Sequence, residues 1–109
     1  MNQEIKVQAS SGNVFADLGL ENSDELLVKA ELARKISSII TKQEMTQAEA
    51  AELLKIDQPK VSALMNGKLS GFSTVRLFRF LNALGQDVEV VVKTKPKSHL
   101  QARTRVVTS

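Results

Sequence analysis

Residues 46–68, TQAEAAELLKIDQPKVSALMNGK, constrain the fold of this chain more than any other stretch. Thr46 followed by Glu49 is the pattern of a capping box. The threonine hydroxyl accepts from the N–H of Glu49, and the glutamate reaches back to the N–H of Thr46. Ala48, Ala51 and Leu54 follow at helical spacing. Asp57 is a ready N-cap for a second helix. Pro59 is tolerated in that helix's first turn, because the N–H it lacks would be unpaired there. Val61, Leu64 and Met65 give the second helix an apolar face, and Asn66-Gly67 ends it. Ala50 and Ala51 are small enough to let two helices approach closely. Two short capped helices joined by a tight turn make a helix-turn-helix, whose second helix is shaped to lie in a DNA major groove.

The flanks complete a mainly α domain. Residues 1–13 are polar and without helical period, and read as a mobile N-terminal arm with a short extended piece around Ile5 to Val7. Residues 14–20, VFADLGL, form a compact apolar segment. It either staples onto the helix that follows or docks another protein. That helix is capped by Asn22 or Ser23 and runs to about Gln43, with Leu26, Ala30, Ala33, Ile36 and Ile40 as its apolar stripe and Leu27, Leu32 and Ile39 widening it. After the motif, Gly71 marks a loop and Ser73 caps a last helix. Its core face is Val75, Leu77, Phe78, Leu81 and Leu84, and Gly85 closes it. Phe80 is either core or part of an interface.

The period then changes. Residues 87–93, DVEVVVK, have the β-branched content of a strand. A lone strand leaves a row of backbone groups unpaired. It pairs either with the arm or with the same strand of a second copy. The expectation adopted is the second, a two-fold dimer with Val88, Val90, Val91 and Val92 at its interface. The domain is thus expected over residues 14–94, with a basic, disordered tail over 95–109.

Composition narrows the function. At 109 residues the chain is one domain with a modest core. It has no Cys, hence no disulfide framework, thiol nucleophile or Cys-based zinc site. Its single histidine, His99, has no neighbouring ligands, so no metal is expected. No nucleophile–base pair or phosphate loop is present, and an enzyme is not expected. With no signal peptide or membrane-length apolar run, the expected home is the cytoplasm, at the nucleoid. The net charge of +3 is uneven. Residues 93–109 carry five cations and no acid, so the remainder is net −2. Within that acidic remainder, residues 60–86 hold Lys60, Lys68, Arg76 and Arg79 without one carboxylate. A basic surface beside a helix-turn-helix is the electrostatic footprint of a DNA reader.

The motif resembles the Cro/C1-type (XRE) helix-turn-helix family. Thr46, Gln47, Ala51, Val61, Ser62, Leu64, Asn66, Gly67 and Lys68 match its T-Q-x-x-x-A and V-S-x-L-x-N-G-K patterns. The resemblance implies a compact helical bundle that binds double-stranded DNA. One departure is Lys55, which stands where the family carries glycine. A non-glycine residue at positive φ is strained, so a slightly different turn is expected.

Contact residues follow from this placement. Gln47 opens the first motif helix, where a long amide beside free N–H groups reaches a phosphate oxygen. Gln58 is the first exposed position of the recognition helix and can bond adenine N6 and N7 as a pair. Lys60 reaches guanine O6 and N7 or a phosphate. Ser62 bonds a base, a phosphate or a local backbone group, and Ala63 touches a thymine methyl. Pro59 either starts the helix or packs on a sugar or thymine methyl. The family implies backbone contacts for Asn66 and Lys68.

Over about residues 11–95, the apolar N-V-F-A-D-L-G segment, the motif and the D-V-E-V-V-V run together resemble the HigA-type antitoxin subgroup. That resemblance implies repression of its own operon and a RelE/HigB-like ribonuclease toxin as partner. One recognition helix alone covers few bases, so a two-fold dimer on a roughly palindromic operator is expected. The alternative is a stand-alone phage-type or metabolic regulator without a toxin. An RNA-binding module is disfavoured, since four Phe with no Tyr or Trp supply no exposed stacking platform.

Overall fold

The computed structural model describes residues 23–100 and 103–108. Four helices stand among them: α1 (Ser23–Lys42), α2 (Gln47–Leu54), α3 (Gln58–Met65) and α4 (Thr74–Ala83). The caps expected for the last three are all formed. The Thr46 Oγ1 accepts from the Glu49 N–H at 3.0 Å, and the Thr46 N–H donates to Glu49 Oε1 at 2.8 Å. Asp57 Oδ1 accepts from the Lys60 N–H at 3.1 Å, and Ser73 Oγ from the Arg76 N–H at 3.1 Å. The expected Asn22 cap, the arm and the 14–20 segment lie outside the described residues.

All four helices end in one geometry. In each, a residue at positive φ turns the chain, and the next N–H donates back five residues. These bonds run from Met45 to Ile40 O, Ile56 to Ala51 O, Lys68 to Ala63 O and Gln86 to Leu81 O. They satisfy carbonyls that a helix end would otherwise leave open. Gly67 and Gly85 supply the positive φ after α3 and α4, as their place in the sequence implies. Glu44 and Lys55 supply it after α1 and α2, at φ 56° and 61°. The turn keeps the geometry a glycine would give, with lysine in the left-handed region; such a residue costs about 1–2 kcal/mol.

The core lies where α1 crosses α3 and α4, with α2 packed on α3 and α4. Ile36, Ile40, Val61, Leu64 and Leu77 are essentially inaccessible to solvent. Burying each such side chain contributes about 1.5–3 kcal/mol. Ala50 and Ala51 are buried between α2 and its neighbours, as their size allows. Phe80 is core, and Phe78 packs half-buried against it.

Three further expectations need correction. First, the stripe of α1 is rotated in its first turns. Val28 and Leu32 face the core, while Leu26, Leu27 and Ala30 are exposed. The sequence offers two apolar rows there, and the positions of α3 and α4 select one. Second, Val75 points outward from α4. Third, the C-terminal β-strand expected over 87–93 is not formed, and no strand occurs among the described residues. A strand is defined by ladder bonds to a neighbour. Residues 87–93 are non-helical but have no ladder partner among the described residues, whose regular structure is all helical. β-Branched content favours an extended backbone without creating the partner. Of these residues Val88 is half-buried on the core, whereas Val90, Val91 and Val92 are exposed.

The chain turns once more at Pro96, whose carbonyl accepts from the His99 N–H at 3.0 Å. Residues 103–108 lean back on the body. The Thr104 N–H donates to Asp24 Oδ2 at 3.2 Å, and Val106 packs on the core.

Candidate nucleic-acid interface

The first turn of α3 is the centre of the site. Asp57 and Pro59 start the helix, so Gln58, Pro59 and Lys60 occupy its first three positions, all exposed. Val61 and Leu64 anchor the opposite face in the core. The pairing of buried 61 and 64 with exposed 58, 59 and 60 makes α3 a ridge with its N-terminal end presented outward. Ser62 and Ala63 lie further along, half-buried. The Ser62 hydroxyl is within reach of the Asn66 side-chain N–H at 3.4 Å, so its partner is a side chain one turn on, not the backbone. Gln47 occupies the first position of α2, exposed beside the Thr46 cap. Asn66 and Lys68 are exposed in the turn that closes α3. The Lys68 N–H is spent on Ala63 O at 2.9 Å, so of its donors only the ammonium is left for a ligand.

Charge separates the helices. The first turns of α1 and α2 carry Asp24, Glu25 and Glu49, which offset the positive end of each helix dipole. The first turns of α3 and α4 carry no acid. Lys60 and Arg76 stand there instead, leaving positive potential on these two helix ends apart from the Asp57 cap. No group of three or more His, Cys, Asp or Glu residues that could hold a metal ion occurs among the described residues. No helix among them is long and apolar enough to cross a membrane.

The geometry is that of a helix presented by a second helix across a tight left-handed turn. Comparison with known proteins agrees: the profile of a helix-turn-helix domain family matches residues 14–93. The chain belongs to this helix-turn-helix family. A solved structure of a protein provisionally named an XRE family transcriptional regulator is 47% identical in sequence. It superposes with a TM-score of 0.78, covering 82% of this chain and 100% of that one. No functionally curated protein matches the sequence. The XRE resemblance read from nine motif residues is therefore sound for this helix-turn-helix domain, α1 and α4 included. The sequence alone did not single out Arg76 beyond its charge; its spacing of four from Phe72 and Phe80 was the signal available.

Proposed function

We propose that this protein is a sequence-specific DNA-binding transcriptional repressor acting in the cytoplasm, at the nucleoid. The observation that carries this reading is the exposed, acid-free first turn of α3, with Gln58 and Lys60 outward and Val61 and Leu64 anchored behind. Gln58 reads an adenine edge and Lys60 a guanine or a phosphate. Pro59 and Ala63 make apolar contact, and Ser62 reaches a base edge or a phosphate. Gln47, Asn66 and Lys68 hold the backbone and set register.

One α3 covers few bases, so the protein works as a homodimer on a roughly palindromic operator, with two recognition helices about 34–36 Å apart. The exposed valines at 90–92 are apolar surface open to a second copy, with Val88 held on the core beside them. The layout over residues 11–95 further supports the role of antitoxin in a type II toxin–antitoxin pair. In that role the protein neutralises a RelE/HigB-like toxin and represses its own operon.

Gel-shift titrations with DNA from upstream of its reading frame test the first part. Specific, salt-sensitive binding is expected, and loss of Gln58 and Lys60 together must weaken it. Light scattering gives the mass with and without operator; one chain in both states removes the dimer. Co-purification from the natural operon tests the antitoxin role. Recovery of a small basic ribonuclease is expected, and its absence favours a stand-alone regulator.

A further inference from the structure

Arg76, in the first turn of α4, is held against two aromatic rings. Its guanidinium lies 5.6 Å from the Phe72 ring centroid and 5.7 Å from that of Phe80. The two rings meet nearly edge to face, 5.9 Å apart at 76°. Residues 72, 76 and 80 are four apart and share one face of the helix and its lead-in. Both rings are buried, while Arg76 is half-buried. Arginine normally gives up much rotamer freedom when it binds, and stacking on aromatic faces fixes its planar fork in advance.

The fork is also uncommitted. Arg76 takes part in no ion pair among the described residues. No carboxylate occurs anywhere from residue 60 to residue 86. Side chains in a helix point back toward its N-terminus. Arg76 accordingly covers Phe72, at the end of the loop that leaves the recognition helix. A cation there also opposes the α4 dipole, which disfavours it in the free protein and suits it to an anion.

We infer that Arg76 is a DNA-backbone contact outside the helix-turn-helix, a guanidinium pre-positioned by Phe72 and Phe80 to grip a phosphate flanking the α3 site. This rests on the DNA-binding function proposed above. An arginine can hold a phosphate through two parallel N–H bonds, so it adds register as well as affinity. It contributes to position and not to base preference.

The test compares the wild type with Arg76→Gln and Arg76→Lys, titrated with a mixed-sequence DNA duplex over a series of salt concentrations. Helix content and unfolding midpoint are measured on the same samples. Arg76→Gln is expected to bind about tenfold more weakly, the loss of one charge-assisted contact. Its plot of log affinity against log salt should flatten by about 0.9 per bound copy. A packing role alone would move the midpoint but leave that slope. Arg76→Lys keeps the charge without the planar fork, so it should keep the slope and lose affinity several-fold. Wild-type slope and affinity in Arg76→Gln overturn the inference, as does an Arg76→Lys variant indistinguishable from wild type. Should Arg76→Gln fail to fold, Arg76→Lys decides by the same criterion. A wild type that binds no duplex overturns the DNA-binding proposal itself, whereas a binding wild type with silent variants removes only Arg76.

Discussion

Residues 46–68 and residues 86–108 are the two halves of a contrast. The first stretch forms two capped helices and the turn between them. The second is rich in valine and forms no element of regular structure among its described residues. In the motif, the bonds that define structure close within five residues: the Thr46–Glu49 box, the Asp57 cap, the return from Ile56 to Ala51. Each is specified by a few neighbouring side chains. In the C-terminal stretch the anchors are remote, Thr104 on Asp24 and Val88 and Val106 on the core. The lesson is that β-branched content sets a local preference, whereas a sheet needs a partner that local sequence does not specify.

The sharpest way to break this contrast is to remove one anchor from each region. Leu64→Ala, at an almost inaccessible site in the motif, should cost about 2–5 kcal/mol of unfolding free energy. Val88→Ala, half-buried in the C-terminal stretch, should cost about 1 kcal/mol or less. Equal costs in denaturant titrations would mean that both regions are held alike.

Function should follow the same division. Gln58→Ala should weaken binding to the preferred duplex by about 1–3 kcal/mol and relax selection at one base step. Because Gln58 is exposed, its thermal midpoint should stay at the wild-type value. Full affinity in this variant, measured by fluorescence anisotropy, removes Gln58 from the base-reading set.

Next in size is the capping box. Thr46→Ala loses the Oγ1 acceptor and should destabilise the fold by about 1 kcal/mol. A thermal melt in which the variant matches the wild type would show that α2 is held by packing alone.

Lys55 tests the turn from the opposite side. Replacement by glycine relieves about 1–2 kcal/mol of left-handed strain, and the freer unfolded chain returns about 0.4–1 kcal/mol of it. A net gain of roughly 0.5–1 kcal/mol is expected, which urea midpoints resolve. A loss would show that the lysine side chain contributes more than its backbone costs.

The smallest effect belongs to Val90→Pro. Its N–H has no backbone partner among the described residues, so the monomer's stability should stay within about 0.5 kcal/mol. A loss above roughly 2 kcal/mol, the scale of a broken network, would place a ladder bond at that position.

Much of the α2–α4 stretch is legible in the sequence. Thr46, Glu49, Asp57 and Ser73 announced three helix starts, and Gly67 and Gly85 two helix ends. Those signals are side chains and torsions acting on backbone groups a few residues away, so neighbouring residues carry the information. The outward place of Gln47, Gln58, Pro59 and Lys60 followed from the same caps together with the buried 61 and 64 pair. What only the tertiary structure decided is everything set by distant neighbours. Leu26 and Val28 are both apolar, and the seating of α3 and α4 against α1 chose Val28 for the core. Lys55 accepts a glycine's conformation because packing on both sides of the turn holds it there. Residues 87–93 have the composition of a strand and lack, among the described residues, the neighbour that would make one. Arg76 stands four residues from Phe72 and from Phe80 in the sequence, but that both rings are buried and meet edge to face under its guanidinium depends on how α4 and its lead-in loop seat on the core.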